Sequence, residues 1–140
     1  QITKLFETHF FYKYKDSKGA SRLPVLALYA IYTVLLEELS RFNGKTLKPL
    51  EAHSAADAQT GAIGDIEVVD AEGVAFEAIE VKHGLPITAA MVDSAKQKIR
   101  GSQVDRYYIL TNRVPIQKKA PQFAQQYCES LFRFCRVHAW

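Results

Sequence analysis

A chain of 140 residues, 48% hydrophobic and 24% charged, has the composition of a globular protein with room for one core and not for two. Eighteen Lys and Arg against 15 Asp and Glu leave a net charge of +3, which permits a polyanionic partner without requiring one. The longest apolar run, residues 24–36, falls short of the roughly 20 residues of a membrane helix and starts too late for a signal peptide, so no membrane partner is expected.

Cys128 and Cys135 fall in a segment that reads as helix, where a seven-residue separation holds them about 10 Å apart, too far for a disulfide. Reduced thiols in a cytoplasmic, prokaryotic setting are the expectation. Starting on Gln1 rather than Met, the chain is compatible with being part of a longer protein. Its expected organisation is a single domain: an arm over 1–21, a core over 22–112 and a C-terminal helical extension over 113–140.

In chain order, residues 4–22 mix five aromatics with Lys13, Lys15, Lys18 and Arg22 and read as an irregular arm. From Ser21 to Phe42, Leu28, Ile31, Leu35, Leu39 and Phe42 have helical spacing after an early Pro, predicting a largely buried helix closed by Asn43 and Gly44. Residues 46–52 read as a short strand, followed by a small-residue loop containing His53 and Ser54. GDIEVVD and VAFEAIEVK, joined by a short turn, predict an antiparallel hairpin. Thr88 can cap a helix with Met91, Val92, Ala95 and Ile99 on one face, ended by Gly101, while Lys96, Lys98 and Arg100 point elsewhere. A strand over DRYYILTNR and an amphipathic helix over 121–134 complete the chain. The expected fold class is mixed α/β, a three-layer sandwich with a central mixed sheet of four or more strands flanked by helices.

Alternation sets Glu80 and Lys82 on one face of the second hairpin strand together with Phe76 and Ala78, with Ile79 and Val81 on the other. A four-residue connection, Ala71 to Val74, makes the numbers of facing residues sum to 145 and puts Asp65 opposite Glu80; an odd connection would turn Asp65 to the wrong side. Two carboxylates facing each other repel unless a divalent cation lies between them, and hard oxygen donors of this kind suit Mg²⁺. The main-chain carbonyl of Val81 could complete the protein's share of the ligands, with Lys82 beside the attacking water.

These residues resemble the PD-(D/E)XK nucleases of restriction-endonuclease-like fold. The family's Asp, then Glu or Asp, one variable residue and Lys match Asp65, Glu80, Val81 and Lys82. Gly64 stands where the nominal motif has Pro. The family core of helix, three antiparallel strands, helix and strand maps onto 22–42, 46–52, 64–70, 74–82, 88–100 and 105–112. SRLPVLALYAIY and GDIEVVDAEGVAFEAIEVKH look more narrowly like type II restriction enzymes of the SacI type. The resemblance implies a Mg²⁺-dependent endonuclease for double-stranded DNA, working as a homodimer without a nucleotide cofactor. Repair, resolvase and transposition nucleases of the same fold, or a non-cleaving DNA-binding or assembly module, are the alternatives.

The family is also similar in placing a helical Glu near the metal, for which Glu38 is preferred over Glu37, since Glu37 can pair with Arg41. Glu67, two residues after Asp65 on the same predicted face, could join the site but is expected to be a sheet-surface charge, and His83, on the opposite face from Lys82, a structural residue or a phosphate contact. Lys13, Lys15, Lys96, Lys98, Arg100 and Arg113 are the candidate DNA-binding residues, able to neutralise phosphates beside a cleaved bond.

Overall fold

A computed structural model describes residues 1–11, 22–50, 61–111 and 134–139. The chain opens with helix α1 (Ile2–Phe11), then α2 (Leu23–Glu38), a 3₁₀ turn (Ser40–Phe42), β1 (Thr46–Leu47), β2 (Ile66–Val69), β3 (Ala75–Lys82), α3 (Ala89–Arg100), β4 (Arg106–Thr111) and β5 (Phe134–Ala139). The strands form one mixed sheet in the order β1-β2-β3-β4-β5. Strand β2 is antiparallel to both of its neighbours, β1 and β3, whereas β3, β4 and β5 run parallel. The mixed α/β class expected from the sequence is therefore present.

Each face of the sheet has its own apolar layer. On one, Val92, Ala95 and Ile99 of α3 pack with Ala78, Tyr107 and Ile109. On the other, Tyr32 of α2 and Phe42 of the 3₁₀ turn pack with Ile66, Val68 and Ile79. Strand β3 is covered on both faces, which is why four of its residues in a row, Glu77 to Glu80, are buried although two of them carry charge.

Several expectations are corrected. The supposed arm is not irregular throughout: Ile2–Phe11 is helical, and Leu5, His9 and Phe10 line an apolar groove against α2. The rest of that arm, with Lys13 and Lys15, lies outside the described residues. Helix α2 stops at Glu38, and it is not largely buried. Pro24 and Tyr32 are its buried residues, while Leu26, Ile31 and Val34 on the outer face are exposed, because only one side of the helix can meet the sheet. Of the strand expected over 46–52, Thr46 and Leu47 pair with β2 and Lys48 N–H donates to the Glu67 carbonyl oxygen at 2.9 Å; Pro49, lacking an N–H, cannot extend the ladder, and 51–52 lie outside the described residues.

The C-terminal end differs most. Phe134 and Cys135, expected in or beside a terminal helix, belong to β5, which pairs in parallel with β4. The predicted helix over 121–133, Arg113 and Cys128 lie outside the described residues, as do His53 and Ser54. Among the described residues, no helix is long and apolar enough to cross a membrane.

The hairpin that carries the candidate site solves its register differently from the expected way. Five residues, Asp70 to Val74, separate the paired strands. The Asp70 carboxylate accepts hydrogen bonds from Glu72 N–H at 3.1 Å and Val74 N–H at 2.8 Å, closing the turn from within. Val69 faces Ala75 and Val68 faces Glu77, so Phe76 is an extra residue in β3. This bulge restores the sum of 145, seen in Ile66 facing Ile79 and Glu67 facing Ala78. It also turns Phe76 to the α2 side with Phe42 and Ile79, correcting the expectation that Phe76 shares a face with Glu80.

Candidate active site

Strand β3 ends at Lys82 because Gly84 takes a left-handed conformation (φ 70°) in the turn that follows. Glu80 and Lys82, two residues apart, both reach the α3 side of the sheet, where the cleft they share is closed by Met91, Ser94, Ala95 and Lys98 of α3 and by Tyr107 and Ile109 of β4. The cleft holds about 70 Å³, room for an ion and a few waters and far too little for a nucleoside.

Glu80 is 5% exposed, and a carboxylate so placed must be paired. Its Oε1 accepts from the Lys82 ammonium at 2.5 Å. Its Oε2 accepts from the Lys98 ammonium at 3.0 Å and from the buried Tyr107 hydroxyl at 3.1 Å. Burial acts most strongly on Glu80 and would raise its pKa; hydrogen bonding and charge from Lys82, then from Lys98, together outweigh it and hold the carboxyl below its ordinary value. Glu80 is thus an anion at neutral pH, flanked by two ammonium groups.

The β2 ladder ends at Ile66, and the register continued by one residue would set Asp65 level with Glu80. Asp65 reaches β3 through its side chain: Oδ2 accepts the Val81 N–H at 2.7 Å. The expected partner of Glu80 is therefore anchored on the main chain of the variable residue between Glu80 and Lys82. Gly64, the departure from the family motif, has a physical reason here. A Cβ at this position would lie 2.7 Å from the Ile79 carbonyl oxygen, so the chain can pass over β3 only without a side chain.

Glu67 is not the surface charge expected. It is 6% exposed and accepts from Ile63 N–H at 2.5 Å, Gly64 N–H at 3.3 Å and the Lys48 ammonium at 3.1 Å. It fixes the segment that delivers Asp65. His83 is structural, with Nε2 2.8 Å from the Phe10 carbonyl oxygen at the end of α1. Glu38 is exposed at the end of α2, the helix packed on the face opposite Glu80. Among the described residues no group of three or more His, Cys, Asp or Glu side chains converges.

Of the candidate DNA-binding residues that are described, Lys96 pairs with Asp93 at 3.0 Å and Arg100 is exposed at the end of α3. Lys98 does not point away, as expected, but inward. The signal was in the sequence: Met91, Ser94, Ala95 and Lys98 follow i, i+3, i+4, i+7 spacing, one stripe beside the core stripe of Val92, Ala95 and Ile99.

A second buried charge escaped the sequence reading. On the α2 face Glu77, fully buried, accepts from the Tyr32 hydroxyl at 2.5 Å, with Arg41 at 3.6 Å and Arg106 at 3.9 Å. Burial first, and then the hydrogen bond to Glu77, push the Tyr32 phenol well above its ordinary range. No protein-family model matches the chain, and no curated protein matches it significantly.

Proposed function

We propose that this chain is a Mg²⁺-dependent DNA endonuclease domain of restriction-endonuclease-like fold, cleaving double-stranded DNA as a type II restriction enzyme does. The observation that carries this reading is the small cleft at the end of β3, where Glu80 and Lys82 share a row and Asp65 is held on the intervening main chain. Three antiparallel strands followed by a helix and a parallel strand, with helices on both faces, support the same fold.

Two carboxylates and a neighbouring carbonyl are hard oxygen donors, and their chemistry fits a divalent ion of the Mg²⁺ type. Asp65, Glu80 and the main-chain oxygen of Val81 would hold it. When bound, the ion would supply Lewis acidity that makes water a nucleophile at neutral pH. Lys82, 29% exposed at its side chain, sits at the cleft mouth. There its ammonium orients the attacking water and stabilises the charge growing on the phosphate as the bond to the sugar 3′-oxygen breaks. Lys13, Lys15, Lys96, Arg100 and Arg113 neutralise flanking phosphates in this reading, and Lys98 does so only by leaving Glu80. Two strands need two cuts, so the working form is a homodimer.

The test is plasmid cleavage by the full-length parent protein with Mg²⁺, against Asp65→Asn, Glu80→Gln and Lys82→Ala. Each substitution is expected to lower the rate by at least about 100-fold. Discrete fragments favour restriction over repair. No metal-dependent cutting of any DNA by the parent sinks the enzyme reading and leaves a non-cleaving DNA-binding module.

A further inference from the structure

Lys98 is unexplained by the motif that Asp65, Glu80 and Lys82 complete. One ammonium is enough to balance one buried carboxylate, yet Glu80 has two, one on each oxygen, and Tyr107 besides. Lys82 extends from the same strand and stands where the proposed chemistry uses it. Lys98 comes from a different element, α3, and its side chain is 29% exposed on a long flexible stem, so it can leave Glu80 for solvent without moving the backbone. Met91 and Ser94, which precede it along the same stripe of α3, leave the cleft wall in place when it goes.

A divalent ion bound to Glu80 would stand within a few ångströms of the position the Lys98 ammonium now occupies, and two cations that close repel. We infer that Lys98 sets the affinity of the site for a divalent ion by occupying the place on Glu80 that the ion takes, an inference that rests on the metal-dependent reading above. The site is then a competition between a tethered monovalent cation and a free divalent one. Tyr107, buried and uncharged, keeps Glu80 aimed into the cleft in either state.

The test is binding of Mn²⁺ alone to the full metal-free chain at neutral pH without DNA, followed through the electron paramagnetic resonance signal of free Mn²⁺. Lys98→Met is expected to bind Mn²⁺ about tenfold more tightly than the parent. Lys98→Gln, which keeps a donor for Oε2 without the charge, should show the same gain and serves if the Met variant folds poorly. Lys98→Arg should stay within about twofold of the parent, because the charge is restored. Lys45→Met removes an equal charge from the opposite face of the sheet, where Lys45 stands 5.1 Å from the Phe76 ring centre, and should leave the affinity unchanged. Parent binding that Glu80→Gln abolishes but that neither neutral Lys98 variant tightens overturns the role of Lys98 and leaves the metal site standing. Absence of Mn²⁺ binding by the parent and all variants overturns both.

Discussion

Gly64 shows how one missing side chain can decide a site. Its backbone lies so close to Ile79 that Gly64→Ala must push β2 and β3 apart or bend the segment leading to Asp65. Overpacking of this kind costs about 1–3 kcal/mol, to be read as a lowered denaturant midpoint with an unchanged slope. Glu80 makes a second prediction at this scale. Its carboxyl is held below the ordinary glutamate value of about 4.3, so the folded state binds the proton less readily than the unfolded chain. The resulting stability is fully present above about pH 4.3 and is lost as the pH falls through the lower folded value. In chelator, the stability difference between the parent and Glu80→Gln should therefore shift against the parent as the pH is lowered from 5 towards 3, and a difference independent of pH would refute the pairing. Both residues were named from sequence, but the surroundings of neither were: Lys98 and Tyr107 reach Glu80 from other elements, and the space around Gly64 depends on a strand fifteen residues away.

At the scale of elements, α3 is where sequence and structure agree most closely. Thr88 caps it, its side chain accepting from Met91 N–H at 3.3 Å, and Gly101 follows its last residue, as the local pattern predicts. Thr88→Ala should cost about 1 kcal/mol in equilibrium unfolding and loosen the wall that carries Lys98. The hairpin was legible in outline because period-two alternation and a polar turn are local signals. Its bulge was not, since a four-residue and a five-residue turn look alike in sequence, and only the sidechain-to-backbone bonds of Asp70 and the packing of Phe76 on Phe42 select one. Helix α1 was hidden for a similar reason: its aromatics, read together with the lysines that follow them in sequence, resemble an unstructured arm until Leu5 and Phe10 have α2 beside them.

Across the whole molecule, the sheet buries three carboxylates among the described residues, of which Glu80 towards α3 and Glu77 towards α2 lie on opposite faces of β3. They serve different ends. Glu77 joins α2 through Tyr32, the 3₁₀ turn through Arg41 and β4 through Arg106, so it ties one layer to the sheet. Among the described residues, its Oε2 and Arg106 Nη1 have no hydrogen-bond partner, a gap of 3.9 Å between them. Glu77→Ala strands the Tyr32 hydroxyl in the core and should cost about 2–4 kcal/mol; Tyr32→Phe, which removes a neutral donor, should cost about 1–2 kcal/mol, both by denaturant unfolding. Neither is expected to alter Mn²⁺ binding, because the sheet separates Glu77 from the Glu80 cleft.

Taken alone, the sequence determined what short-range periodicity and spacing can carry: the order of the core elements from α2 to β4, the cap of α3 and the row shared by Glu80 and Lys82. Tertiary structure decided what depends on contacts between distant segments. The inward turn of Lys98, the burial of Glu67 and Glu77, the need for glycine at position 64 and the addition of β5 to the sheet all arise that way. A charged side chain reads the same in sequence whether it meets water or a buried partner, and only packing determines which.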